Sequence, residues 1–163
     1  MRSIKTPKLS ICISTLDREE LLKELIESIL EQKCDDIEIV VSDGGSQDNT
    51  CKLMESFDSN NHNIKFINPG RHVGLDEGYY MAVKGSSGDY IWCMPDDDYI
   101  LPDALSTIIE SLKNEDNIDF LIVNLRCYTN DLKTDLNQNL IPIFEDKPMS
   151  FDEFKDIFSE NTY

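Results

Sequence analysis

The 163-residue sequence has no G-x-G-x-x-G after an apolar run and no G-x-x-x-x-G-K-[ST] anywhere, which argues against dinucleotide dehydrogenases and P-loop NTPases. Histidine is nearly absent, with only His62 and His72, and the five cysteines (Cys12, Cys34, Cys51, Cys93 and Cys127) form no C-x-x-C pair. That inventory is too sparse for a zinc set and too irregular for a disulfide framework. Buried free thiols are expected, and both histidines read as loop residues. No apolar run approaches the roughly 20 residues of a membrane span, and Met1 to Pro7 lacks a secretory apolar segment, so a cytosolic protein is expected. Positive charge is scarce as well: 15 Lys and Arg face 32 Asp and Glu, a formal net charge of −17. Such a surface repels nucleic acid and anionic lipid, and an anionic ligand would need a cation or helix amino termini as intermediary.

What the chain does have is alternation. Leu9 to Ser14 is a short apolar run, followed by Leu21, Leu22, Leu25, Ile26, Ile29 and Leu30 at helical spacing. Asp17, three residues before Glu20, suits a capping arrangement that starts this helix near Arg18. Ile37 to Ser42 reads as a second strand, Asp43-Gly44-Gly45-Ser46 as a turn, and Asp48 to Phe57 as a second helix. Further strands are expected at Asn63 to Asn68, Tyr90 to Met94 and Phe120 to Leu125, with helices at Leu75 to Val83 and Pro102 to Leu112. Ser150 and Glu153 have capping-box spacing ahead of a terminal helix. Short, nearly all-apolar strands alternating with helices predict an α/β fold, a mostly parallel sheet covered on both faces. Residues 1–127 form the expected core, and 128–163 a second segment.

Ligands of such sheets bind beyond the carboxyl ends of the strands, where Thr15, Asp17, Asp43, Gly44, Asp76 and the triplet Asp96-Asp97-Asp98 are all expected. Three adjacent carboxylates repel unless water or a cation screens them, and hard divalent cations favour carboxylate oxygens. A metal site is one reading of the triplet; a solvated acidic turn capping the helix near Pro102 is the other. Asp17 and Asp76 equally suit ligand contacts or helix caps. The triplet lacks the alternating ligands, turn glycine and late Glu of an EF-hand, and no Ser, His and Asp constellation presents itself.

In order and spacing these segments resemble the amino-terminal, nucleotide-sugar-binding portion of a family 2 glycosyltransferase with the Rossmann-like GT-A fold. Ser28-Ile29-Leu30-Glu31-Gln32 resembles the family's Ser-Ile/Leu-x-x-Gln helix end, and Glu38 to Asp48 its "E-I-[IV]-V-x-D-[DG]-x-S-x-D" signature. Gly88-Asp89-Tyr90-Ile91 resembles its "G-[DE]-Y-[IV]" strand. Gly74 to Tyr79 departs from "A-R-N-x-G", and Trp92 to Asp98 is closer to the "W-x-x-x-D-D-D" of abequosyltransferase-like members, with Pro95 at the usual first Asp of D-x-D. The resemblance implies metal-assisted, inverting transfer from a nucleotide-diphosphate sugar, of UDP type by family default, to a saccharide or glycolipid acceptor. It implies Mn²⁺ or Mg²⁺ on Asp97 and Asp98, with Thr15, Asp17, Asp43, Gly44, Asp76, Asp96 and Asp97 toward the donor. No motif selects a general base among Asp131, Asp135, Glu145 and Asp146. Only 65 residues follow Asp98 (163 − 98), fewer than relatives generally use. The chain therefore reads as a truncated transferase or as a module that binds the nucleotide sugar without transferring it.

Overall fold

The computed structural model describes residues 6–60, 63–114, 118–129, 135–137, 149–153 and 155. The chain divides into two compact units, Met1–Asn117 and Ile118–Tyr163. In the first, β1 (Leu9–Thr15), α1 (Glu19–Leu30), β2 (Ile37–Asp43), α2 (Thr50–Asn60), β3 (Ile64–Ile67), α3 (Leu75–Gly85), β4 (Tyr90–Pro95) and α4 (Ala104–Asn114) alternate as the apolar pattern predicts. The four strands form one parallel sheet in the order β3-β2-β1-β4.

Every residue of β1 and β2 is buried, which accounts for their unbroken apolar runs. Successive side chains point to opposite faces, so Cys12 and Val40, packed against Ala82 of α3, leave Ile11, Ile13, Ile39 and Val41 on the other face. These four are at most 1% exposed, so the sheet is covered on both sides. Helix α3 packs closely on the sheet because Gly78 has no side chain: a Cβ there would collide with Ser14 Oγ. β4 is more open, with Ile91 and Cys93 exposed. All five cysteines are free, but only Cys12 is buried, so the expectation of generally buried thiols does not hold. His72 lies in a loop; His62 falls outside the described residues.

The amino ends of the strands converge on Glu38. Its Oε1 accepts hydrogen bonds from Ser10 Oγ (2.6 Å), Ser87 Oγ (3.0 Å), Gly88 N (3.2 Å) and Ser87 N, while Oε2 pairs with Lys65 Nζ at 2.7 Å. Gly88 fits only without a side chain, since a Cβ would stand 2.6 Å from Ser10 Oγ and 2.8 Å from Ser10 N.

The second unit differs from expectation. Residues 120–125, expected as a fifth strand, form no regular element. Apolar, β-favouring residues make a strand only when an edge pairs with them; in this stretch Leu121 and Leu125 are exposed. The strands present are β5 (Cys127–Tyr128) and β6 (Asp135–Asn137), which pair antiparallel. The capping box does form: Ser150 N and Oγ donate to Glu153 Oε2 at 2.7 and 2.9 Å, and Glu153 N donates to Ser150 Oγ at 3.2 Å. The segment from Leu140 to Phe144 lies outside the described residues, as do Asp131, Glu145 and Asp146. Among the described residues no helix is long and apolar enough to cross a membrane.

Candidate functional site at the carboxyl ends of β1, β2 and β4

In this strand order the chain steps from β1 to β2 and β3 on one side, then returns to place β4 on the other side of β1. The switch point therefore lies between β1 and β4, and ligands of open parallel sheets bind in the crevice at such a point. The loops that follow these two strands carry Arg18 and Asp96, Asp97 and Asp98.

Arg18 joins the two loops. A single nitrogen, Nη1, lies 3.1 Å from Asp96 Oδ1 and 3.0 Å from Asp97 Oδ2. Asp96 is 6% exposed, whereas Asp97 and Asp98 are exposed. The charge of Asp96, with the hydrogen bond to Asp97, holds the Arg18 guanidinium above its ordinary range. Partial burial of its carboxyl, and then the charge of Asp97, push Asp98 above the usual carboxylate range. Asp98 makes no ion pair among the described residues. Tyr79, whose hydroxyl donates to Met94 O at 3.1 Å, is raised by burial, then by Cys93 and by Asp96 with the rest of the triplet.

Helix α1 holds this loop at both ends. Besides Arg18 at its start, buried Ser28 Oγ accepts from Ile100 N at 3.2 Å, and Gln32 Oε1, in the turn after the helix, accepts from Leu105 N at 3.0 Å in the first turn of α4. Ser28 Oγ also donates to Leu25 O at 2.7 Å, and Gln32 Nε2 to Ser28 O at 3.3 Å. The Ser-x-x-x-Gln spacing thus serves the segment after the triplet, a purpose the sequence pattern did not reveal.

Thr15 and Asp43 are register partners at the ends of β1 and β2. Asp43 is 1% exposed, and its carboxylate accepts from Gly45 N (3.1 Å) and Ser46 N (3.1 and 3.2 Å), so it builds the turn. Gly44 N donates to Thr15 O at 2.7 Å, and a Cβ on Gly44 would come within 3.0 Å of that oxygen. Gly45 has φ +97°, which a side chain resists. Thr15 is 3% exposed, and its Oγ1 is buried without a hydrogen-bond partner.

Asp17 does not cap α1, contrary to one of its two readings. Arg18 takes the N-cap position without a side-chain cap bond, and Asp17 sits in the left-handed region at φ 52°. Its Oδ1 reaches across to accept from Gln47 N (2.6 Å) and Asp48 N (3.4 Å), and its own N–H donates to Ser46 Oγ (2.9 Å). Asp48 returns the clasp, accepting from Glu19 N at 3.1 Å and Thr50 N at 2.9 Å, so one carboxylate serves the first turns of two helices. Its partial burial raises the carboxyl, but the Thr50 and Glu19 N–H groups bring it below the usual range. Asp-x-Thr before a helical pattern is the signal that could have found this second residue. Asp76 stands exposed in the first turn of α3, with no hydrogen bond or ion pair among the described residues and no cap bond at Gly74. The structure thus joins Thr15 to Asp43 and Gly44, ties Asp17 to the β2–α2 loop, and links Asp96 to Asp97 through Arg18; Asp76 stays apart from these contacts.

Among the described residues no three of His, Cys, Asp and Glu converge to hold an ion by themselves. A magnesium-like ion needs only one or two carboxylates when substrate phosphates and water complete its shell, and the adjacent, exposed Asp97 and Asp98 suit that mode.

The chain belongs to glycosyl transferase family 2, whose profile matches residues 10–161. It is 34% identical over 114 residues to abequosyltransferase RfbV of Salmonella typhimurium, covering 68% of this chain and 34% of that protein. The fold is GT-A: S. aureus TarS 1-349 in complex with UDP-GlcNAc superposes with TM-score 0.60 at 25% identity, over 65% of this chain and 31% of TarS. A mannosyltransferase from Pyrobaculum calidifontis, in complex with GDP-Man and Mn²⁺, gives TM-score 0.58 at 19% identity over 68% of this chain and 34% of its own. The chain thus spans about a third of the length of these relatives.

Proposed function

We propose that this chain is the donor-binding portion of an inverting glycosyltransferase that passes a sugar from a nucleotide-diphosphate donor, UDP type, to a saccharide or lipid-linked acceptor on the cytoplasmic side. The observation that carries it is the Asp96–Asp98 triplet at the β1/β4 switch point, incompletely compensated by Arg18. Residues 1–127 form the donor core and 128–163 an acceptor-side segment. The UDP-GlcNAc of TarS and the Mn²⁺ of the mannosyltransferase support the ligand classes.

Asp97 and Asp98 would hold Mn²⁺ or Mg²⁺, which when bound supplies positive charge against the negative charge growing on the leaving diphosphate. The remaining residues bind and orient. Asp96, fixed by Arg18, faces the ribose or sugar. Asp43 and Gly44 shape the turn that borders the base, with the Thr15 hydroxyl beneath it. Asp17 and Asp76 would supply further polar contacts to the donor.

Calorimetry with UDP, with and without Mn²⁺ and with chelator, tests this reading. UDP affinity is expected to fall at least about 100-fold in chelator or in Asp97→Ala/Asp98→Ala, since one lost charge-assisted contact costs roughly tenfold or more. Binding indifferent to both treatments removes the cation from the reading. The other reading is a module that holds the donor without transferring it; a sugar-transfer assay separates the two.

A further inference from the structure

We infer that Arg18 is an exchangeable ligand: it holds Asp96 and Asp97 until a divalent cation claims Asp97, then moves its charge to the donor's diphosphate. The inference rests on the proposed nucleotide site and adds a residue that neither the motifs nor the metal reading picked out.

One nitrogen, Nη1, lies 3.1 Å from Asp96 Oδ1 and 3.0 Å from Asp97 Oδ2, so the guanidinium engages Asp97, one of the two carboxylates that would hold the cation. Guanidinium and metal both draw on the charge of Asp97, so they compete. Three carboxylates and one guanidinium leave a formal charge of −2, which one divalent ion balances. The arginine side chain is about half exposed (46%), so leaving costs little burial, and Asp97, at 51%, is open from the solvent side. Its backbone, by contrast, is held. The Asp17 and Asp48 clasp fixes the residues on either side, Asp17 to Gln47 N and Glu19 N to Asp48. A long, planar, permanently charged side chain on a fixed stem can change partners without moving the loop. The guanidinium fork suits two phosphate oxygens as well as two carboxylates.

The test measures two affinities of the 163-residue chain. Mn²⁺ binding without nucleotide is read by electron paramagnetic resonance, and UDP binding at saturating Mn²⁺ by calorimetry, in wild type, Arg18→Gln and Arg18→Lys. Exchange predicts opposite movements in Arg18→Gln: Mn²⁺ alone binds about three- to tenfold tighter because its competitor is gone, while UDP binds about tenfold weaker, as for a half-exposed charge-assisted contact. Arg18→Lys, whose more strongly hydrated ammonium is a weaker competitor for the carboxylates, also tightens Mn²⁺ but keeps most of the UDP affinity. A residue that merely props the loop would weaken both ligands together, and that result, or no change in either, overturns the exchange while wild-type UDP binding keeps the nucleotide site standing. Folded wild type that binds no UDP with or without Mn²⁺ overturns the site and the exchange together. If Arg18→Gln melts below the assay temperature, Arg18→Lys decides: Mn²⁺ affinity no higher than wild type overturns the exchange.

Discussion

At the amino end of the sheet Glu38 is 4% exposed, and both of its oxygens are engaged, by Ser10, Ser87 and Gly88 on one and Lys65 on the other. At the carboxyl end three carboxylates share one guanidinium, and Asp98 is pushed up by burial and by its neighbour. Both places put negative charge against the same strands. Burial alone would raise Glu38 too, but the hydrogen bonds of Lys65, Ser10 and Ser87 outweigh it and hold the carboxyl at about 2. A charge compensated in full holds strands together, whereas charge left over in a crevice is available to a ligand.

Glu38→Ala should have the largest effect on stability. It leaves the Ser10 hydroxyl and the Ser87 and Gly88 N–H groups without their acceptor, so about 4 kcal/mol of unfolding free energy should be lost in urea titration. Because the site lies at the opposite end of the strands, the variant that remains folded should keep wild-type UDP affinity. Equal damage to UDP binding would break the division of labour between the two ends.

The acid limb gives the next effect. The Glu38 carboxyl lies below its ordinary 4.5 in the folded protein, so its contribution is complete above that value and fades as pH falls toward about 2. The shift corresponds to about 3 kcal/mol. Glu38→Gln, uncharged throughout, should lie below wild type near neutrality, and the gap should close between pH 4.5 and about 2. A gap that stays constant with pH would place the stabilisation in packing rather than charge.

How far these ends were legible in sequence follows from what periodicity records. The parallel sheet, its carboxyl edge and the triplet could be read because buried strands are apolar throughout and turns need Gly and Asp; β1, β2 and α3 lie close to where the pattern put them. Partners across a sheet leave no such trace. Glu38 sat inside a recognisable motif, yet its meeting with Lys65, Ser87 and Gly88, 27 to 50 residues on, is made by register. Arg18 looked like the start of a helix because its contacts with Asp96 and Asp97 span 78 and 79 residues. Asp17 read as a cap of its own helix, whereas that helix is served by Asp48 from the neighbouring loop. Residues 120–125 misled for a related reason: composition favoured a strand, but β-propensity reports fit to a partner edge rather than a preference of the backbone.

The smallest expected effect is also the one that sharpens the comparison most. Gln32 lies in the turn after α1, away from both carboxylate sites, and its Oε1 satisfies the N–H of Leu105 just after the acidic loop. Gln32→Ala removes a helix-capping acceptor supplied by another element, which should cost about 1 kcal/mol. If α1 acts as a splint for the triplet, with Arg18 at one end and Ser28 and Gln32 at the other, loosening one end should also weaken UDP binding at saturating Mn²⁺ by about threefold, because a site loses affinity when its support allows about an ångström of play. Gln32→Glu keeps the accepting oxygen and should restore most of both. Lost stability with unchanged UDP affinity would mean that the loop holds its shape without the Gln32 contact, leaving Arg18 and Ser28 as the ties between α1 and the acidic loop.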